Sequence, residues 1–78
     1  MPALVTLGAR NLGGAVLDRA LAEGWSCAAI AQSDDTLEAI RGLGAHGFRA
    51  DVLVAGELER ALAEAAEALG GLDAIVDA

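Results

Sequence analysis

A glycine-bearing turn near the amino terminus is the first stretch whose residue types suit binding chemistry. Residues 8–14 read GARNLGG and follow a short apolar run, Ala3–Leu7. After the turn, apolar residues fall at helical spacing, at Leu12, Val16 and Ala20. A turn between a strand and a helix exposes backbone N–H groups, and the helix directs the positive end of its dipole toward an anion. The pattern therefore predicts a phosphate-binding βα unit.

Two further reactive side chains do not belong to a recognisable catalytic or metal site. Cys27 is the only cysteine and lies in the apolar run SCAAIA, which is typical of a buried core thiol. Since no intramolecular disulfide is possible, we expect a reducing compartment. His46 has no cysteine or carboxylate cluster at ligand spacing, so we expect a loop histidine and no metal site.

Composition and charge exclude several classes of partner. The net charge is −7 and all five basic residues are arginines, whereas a surface for nucleic acid or anionic membrane needs clustered positive charge. No apolar stretch reaches roughly 18 residues and no basic flank precedes the first one, so neither a membrane span nor a signal peptide is expected. We expect a cytoplasmic protein that binds small molecules, with no nucleic-acid or membrane partner.

Strands and helices alternate along the whole chain. We predict strands at Ala3–Leu7, Cys27–Ala31, Gly47–Ala50 and Asp73–Asp77, and helices at Leu12–Glu23, Asp35–Leu43 and Glu57–Leu69. Asp35 and Glu38 resemble a capping box for the second helix. The charged side chains of the third helix are expected on a solvated face, with Arg60 and Glu64 paired.

This alternation predicts a single α/β domain. The strands are continuously apolar and the connections are short, which is typical of a doubly wound parallel sheet with helices on both faces. We expect the topology βαβαβαβ, with the strands in the order 3-2-1-4 if the fold is Rossmann-like. That order places the first strand, and the turn after it, beside the point where ligands bind.

The opening turn resembles the T-G-x-x-x-G-x-G motif of the short-chain dehydrogenase/reductase family. When the motif is aligned on Thr6, its three glycines fall on Leu7, Asn11 and Gly13, of which only the last is a glycine. Leu7 is therefore expected to lower the affinity for a cofactor, because a leucine obstructs the left-handed turn and the approach of a pyrophosphate.

Three further stretches extend the resemblance over the whole chain. Residues 26–40 resemble the family's second strand and the A-R-S-x-x-x-L-E stretch that follows it. Asp51 and Val52 lie in an A-D-V sequence, where the resemblance implies that the carboxylate binds the adenine amino group and the next backbone unit lines the base. The alternative for Asp51 is the capping of a turn. Residues 71–78 resemble G-x-L-D-I-L-V-N-x-A-G, with Asp77 in place of the first asparagine.

The resemblance implies a nicotinamide dinucleotide, and we expect NADP(H) rather than NAD. In the family an acidic residue at the end of the second strand binds the ribose hydroxyls and favours NAD, but Ala31 stands there. Arg10 matches the basic residue that NADP-preferring members carry before the second glycine. Gln32 and Ser33 are expected to add neutral hydrogen bonds to the 2′-phosphate. Another register makes Asp34 the ribose ligand, although its place ahead of a helix favours capping.

The expected cofactor-binding residues are Thr6, Gly8, Arg10, Asn11, Leu12, Gly13, Gln32, Ser33, Asp51, Val52 and Asp77. No catalytic residue is assigned. The family uses a serine and a Y-x-x-x-K pair in its downstream half, whereas this chain has no tyrosine and no lysine, and Ser26 and Ser33 lie far upstream. We therefore expect residues 1–78 to be the dinucleotide-binding N-terminal part of a longer fold, inactive alone.

The function implied is that of an NAD(P)-dependent oxidoreductase, which transfers hydride to or from a carbonyl or alcohol substrate and forms a homo-oligomer at full length. The alternative is a non-catalytic nucleotide-binding or sensing protein with a degenerate glycine motif. A third possibility, a flavodoxin-like receiver domain, is weaker, because the glycine turn and the A-D-V spacing have no role in that fold.

Overall fold

The computed structural model describes residues 2–8 and 12–77. The elements are β1 (Ala3–Leu7), α1 (Leu12–Ala22), β2 (Ser26–Ala31), α2 (Asp34–Gly42), β3 (His46–Arg49), α3 (Glu57–Leu69) and β4 (Ala74–Asp77). All seven predicted elements are present, and each boundary lies within one residue of its predicted position.

The four strands form one parallel sheet in the order β3-β2-β1-β4, which confirms the predicted order. The chain builds outward from β1 through β2 to β3, and α3 then returns it to the opposite side of β1, where β4 pairs. The direction of winding therefore reverses beside β1. In open α/β sheets, ligands bind at the carboxyl ends of the strands next to such a reversal.

Side chains alternate between the two faces of the sheet and separate the core into two clusters. On one face, Leu4 and Cys27 pack with buried residues of α1 and α2, among them Leu17. On the other face, Val5 and Ile30 pack with α3. Since buried strand residues need helices on both sides, this arrangement explains why the central strands β1 and β2 are largely apolar.

The start of α2 differs from the prediction. Ser33, and not Asp35, is the N-cap, because its Oγ accepts a hydrogen bond from the backbone N–H of Thr36 at 3.2 Å. Asp34 and Asp35 occupy the first turn, where carboxylates interact favourably with the helix dipole. A serine hydroxyl at the N-cap reaches the N–H three residues later, and Ser33 has that spacing to Thr36.

The charged residues of α3 do not all belong to a solvated face. The predicted pair is present, with Arg60 Nη1 at 2.7 Å from Glu64 Oε1. Glu57, however, accepts a hydrogen bond from the backbone N–H of Asp51 at 3.0 Å through its Oε1. The first residue of α3 is thereby tied to the segment that follows β3. Within residues 2–8 and 12–77, no helix is long and apolar enough to span a membrane.

Candidate functional site

A cavity of about 570 Å³ opens at the carboxyl ends of the strands, next to the reversal beside β1. Its lining residues are Leu7, Gly8, Ile30, Ala31, Gln32, Ser33, Thr36, Ala50, Val52, Leu58 and Asp77. The volume lies within the range of roughly 300–1,000 Å³ that is common for small-molecule and cofactor sites. All four strands contribute, either through their last residues or through the residues that follow them.

The cavity brings together five residues of the predicted set, namely Gly8, Gln32, Ser33, Val52 and Asp77. Asp51 lies beside it, in contact with Gln32. Thr6 and Gly13 are buried, Thr6 within β1 and Gly13 in the first turn of α1, and neither lines the cavity. Arg10 and Asn11 lie outside the described residues, as does the side chain of Leu12.

The end of β1 shows which residue of the turn has a positive φ. Leu7 is the last residue of β1 and pairs in register with Ile30, whereas Gly8 takes the left-handed conformation, with φ +102°. The residue that needs to be a glycine is therefore Gly8. Leu7 has the extended backbone of β1, so it does not obstruct a left-handed turn, and its effect on the approach of a pyrophosphate stays a prediction.

Gly8 shapes the turn but does not offer its N–H to a phosphate. That N–H donates to the carbonyl oxygen of Ile30 at 2.8 Å and so extends the pairing of β1 with β2. Among the described residues other than its chain neighbours, none has a heavy atom within 4 Å of the place where a Cβ on Gly8 would stand. The backbone is therefore open to the approach of a ligand at this point, as a nucleotide-binding turn requires.

The end of β2 supplies neutral polar groups. Ala31 carries no charge, and Gln32 is exposed at the rim. The hydroxyl of Ser33 donates to Thr36 Oγ1 at 2.8 Å and also accepts from the Thr36 N–H. Ser33 therefore can donate to a phosphate only by giving up its bond to Thr36 Oγ1, whereas the capping bond, in which its oxygen accepts, is not affected. Thr36 lines the cavity and was not predicted; the only sequence signal for it is its position three residues after a capping serine.

Four hydrogen bonds hold Asp51 after β3, one of them from the backbone N–H of Val54 to its carbonyl oxygen at 3.0 Å. Its Oδ1 accepts from the N–H of Leu53 at 2.9 Å, and its Oδ2 accepts from Gln32 Nε2 at 3.4 Å. Its own N–H donates to Glu57. Asp51 thus caps a turn, as the alternative proposed, and also directs one carboxylate oxygen toward the end of β2.

Charge is sparse on the described walls of the cavity. Asp77 is the only ionisable side chain among the described lining residues, and the others are apolar or neutral and polar. Apolar walls with a few hydroxyl and amide groups suit an adenosine, since the base packs against apolar side chains and the ribose hydrogen-bonds to polar ones. The residues present therefore fit the adenosine half of a dinucleotide.

The single cysteine and the single histidine of the chain lie away from this site. Cys27 is buried in the core with its Sγ 3.6 Å from the carbonyl oxygen of Trp25, and burial raises the pKa of its thiol above the ordinary value of 9.0. His46 is exposed at the start of β3, at the opposite end of the strands. Across the described residues, no group of three or more potential metal ligands is assembled.

No family model and no curated protein matches the chain, but solved structures do. The TT0495 protein from Thermus thermophilus is 34% identical with a TM-score of 0.81, over 99% of this chain and 32% of that one. A short-chain dehydrogenase/reductase from Serratia marcescens is 31% identical with a TM-score of 0.80, over 97% of this chain and 34% of that one. The F189W variant of actinorhodin polyketide ketoreductase with NADPH is 28% identical with a TM-score of 0.81, over 97% of this chain and 31% of that one.

The chain belongs to the short-chain dehydrogenase/reductase family and has its Rossmann-like fold. It spans about a third of the length of the structures it matches, which is consistent with an N-terminal portion. These neighbours support an oxidoreductase fold and do not favour the alternative of a non-catalytic sensing protein.

Proposed function

We propose that the chain is the cofactor-binding part of an NAD(P)-dependent oxidoreductase and that it binds NADP(H) in preference to NAD(H). The observation that carries this proposal is the position of the 570 Å³ cavity, at the carboxyl ends of β1 and β2 beside the reversal of the sheet. The similarity to a ketoreductase structure with NADPH supports the same assignment.

The adenosine half of the cofactor is assigned to the ends of β2 and β3. Asp51 Oδ2 would accept a hydrogen bond from the adenine amino group, and Val52 would form one wall of the base site. Gln32 and Thr36 would hydrogen-bond near the ribose. Ala31 leaves the end of β2 without the carboxylate that repels a 2′-phosphate.

The rest of the cofactor is assigned to the turn after β1. Gly8 leaves the backbone open there, whereas Arg10, the one basic residue of the turn, is assigned to the 2′-phosphate on the adenosine half. When bound, NADP(H) supplies the hydride chemistry, and the residues of this chain bind and orient it. The substrate class that the family implies is a carbonyl or alcohol compound, and the chain itself contains no tyrosine or lysine to act as the general acid.

Titration of the purified protein with NADPH and NADH tests the proposal, with cofactor fluorescence as the readout. We expect tighter binding of NADPH and a selective loss of about 1–3 kcal/mol for NADPH in Arg10→Ala, because a charge-assisted bond to the 2′-phosphate is removed. Arg19→Ala is the matched control, since Arg19 pairs with Glu23 on α1 and does not line the cavity. Equal affinities for both cofactors, or equal losses in Arg10→Ala, would contradict the preference.

A further inference from the structure

An ion pair joins the ends of β2 and β3 next to the cavity. Arg49, the last residue of β3, pairs through Nη2 with Oδ1 of Asp34, the first residue of α2. Each partner directly adjoins a residue that lines the cavity, since Asp34 follows Ser33 and Arg49 precedes Ala50. In the sheet, Arg49 lies in register with Ala31, the position at which the family selects its cofactor.

The charges around this pair are mostly negative. Asp51 presents a carboxylate at the same end of the strands, and Asp77 is the one ionisable side chain among the described walls of the cavity. A phosphate that entered here would be repelled by each unpaired carboxylate. Arg60 pairs with Glu64 and donates to the carbonyl oxygen of Arg49, so it is already engaged.

We propose that Arg49 determines cofactor specificity by neutralising Asp34 and by offering a guanidinium to the 2′-phosphate of NADP(H). This inference rests on the proposed function. A guanidinium binds phosphate oxygens with two parallel hydrogen bonds, and its five N–H donors allow it to keep a carboxylate partner while it binds a phosphate. The side chains of Arg49 and Asp34 are 57% and 78% exposed, so both are accessible to a ligand.

Loss of the ion pair between Arg49 and Asp34 favours NAD(H). Without Arg49, Asp34 becomes a free carboxylate three residues after Ala31. A free carboxylate accepts hydrogen bonds from ribose hydroxyls and repels a 2′-phosphate. Asp34 is therefore a potential ribose ligand, as the other register of the sequence proposes. The ion pair with Arg49 keeps its carboxylate from excluding NADP(H).

The test is a double-mutant cycle of Arg49→Gln and Asp34→Asn, with NADPH and NADH titrated against the purified protein and each variant. We expect Arg49→Gln to weaken NADPH binding about tenfold and to leave NADH binding unchanged or tighter, since a partly exposed charge-assisted bond is lost. Adding Asp34→Asn should restore roughly threefold of the NADPH affinity, because the freed carboxylate is then absent. Arg19→Gln is the control, as it breaks another exposed ion pair outside the cavity.

Circular dichroism of every variant separates specificity from folding, and Arg49→Lys replaces Arg49→Gln if the latter loses helix content. Arg49→Lys should keep the preference for NADPH with a smaller loss of affinity. The inference is overturned if Arg49→Gln weakens both cofactors equally, if it leaves NADPH binding unchanged, or if the double variant binds NADPH no better than Arg49→Gln. A parent protein that binds neither cofactor contradicts the proposed function instead.

Discussion

Gln32 and Asp51 are in contact across the ends of β2 and β3, with Gln32 Nε2 at 3.4 Å from Asp51 Oδ2. The bond is long and exposed, so it contributes little to stability. The other oxygen, Oδ1, is held at 2.9 Å by the N–H of Leu53. Asp51 therefore has one oxygen fixed in a turn and one whose weak partner a ligand can replace.

This asymmetry predicts how Asp51→Asn changes the choice of base. We expect asparagine to keep the bond from Leu53 through its carbonyl oxygen and to present an NH₂ group where Oδ2 stood. The parent should bind NADPH more tightly than its hypoxanthine analogue, about tenfold, because a carboxylate accepts from the adenine amino group. Asp51→Asn should reduce or reverse that difference.

Competition binding of the two dinucleotides measures the effect, and Asp35→Asn is the matched control. Asp35 lies exposed in the first turn of α2 and does not line the cavity. An unchanged preference for adenine in Asp51→Asn would show that Asp51 only caps its turn.

Local and long-range features of the sequence differ in how well they predict this structure. The parallel sheet follows from apolar strands and short connections, because few topologies bury both faces of such strands, and the order 3-2-1-4 follows if the fold is Rossmann-like. Element boundaries follow equally well, since the glycines after the helices take positive φ angles, as at Gly24 and Gly70. The element boundaries depend on residues that are neighbours in the sequence.

The site could be predicted only in part, because its contacts join separate elements. The bond from Asp51 to Glu57 and the ion pair of Arg49 with Asp34 each link residues whose proximity depends on the packing of strands and helices. Thr36 lines the cavity from the first turn of α2, a helix that Ser33 caps two positions before the predicted cap, Asp35. The left-handed residue of the turn is Gly8 and not Leu7, because a sequence pattern does not reveal which residue has a positive φ.

Gly8→Ala is expected to destabilise the fold. At φ +102° a Cβ is strained even though the space around it is open, and the cost of such a conformation is about 1–3 kcal/mol. Gly42→Ala is the matched control, because Gly42 ends α2 without a positive φ and alanine there is neutral or stabilises by up to about 1 kcal/mol. Urea unfolding of both variants measures the difference, and equal midpoints would mean that the turn at Gly8 differs from the one described.

Stability is expected to fall at alkaline pH because of Cys27. Burial raises the pKa of the folded thiol above its ordinary value of 9.0, so the unfolded chain loses this proton first. The contribution is fully present below about pH 9 and is lost as the pH rises from there through the folded pKa. The chain has no lysine and no tyrosine, so few other side chains titrate in this window. The decline of the urea midpoint above pH 9 should be smaller in Cys27→Ala, and an identical decline in both proteins would refute the assignment.

Self-association is expected through the edge of the sheet at β4. In the described part of the chain β4 pairs only with β1, and its Ile75 side chain is 54% exposed. Unprotected edges pair with other chains, and an edge lysine opposes that pairing. Ile75→Lys should therefore shift the sedimentation profile toward monomer. Leu53→Lys is the control, because Leu53 is 91% exposed but lies in the segment after β3. If both variants reduce association equally, general surface hydrophobicity and not the edge is responsible.

The most direct test of the central claim is amide chemical-shift mapping of the ¹⁵N-labelled protein during titration with NADPH. Binding in the described cavity predicts shifts at Gly8, Gln32, Thr36 and Val52, which lie at the carboxyl ends of β1, β2 and β3. The signals of Trp25 and His46, at the amino ends of β2 and β3, should stay in place. Shifts that cluster at Trp25 and His46, or no shifts at saturating NADPH, would contradict the assignment of this cavity as the cofactor site.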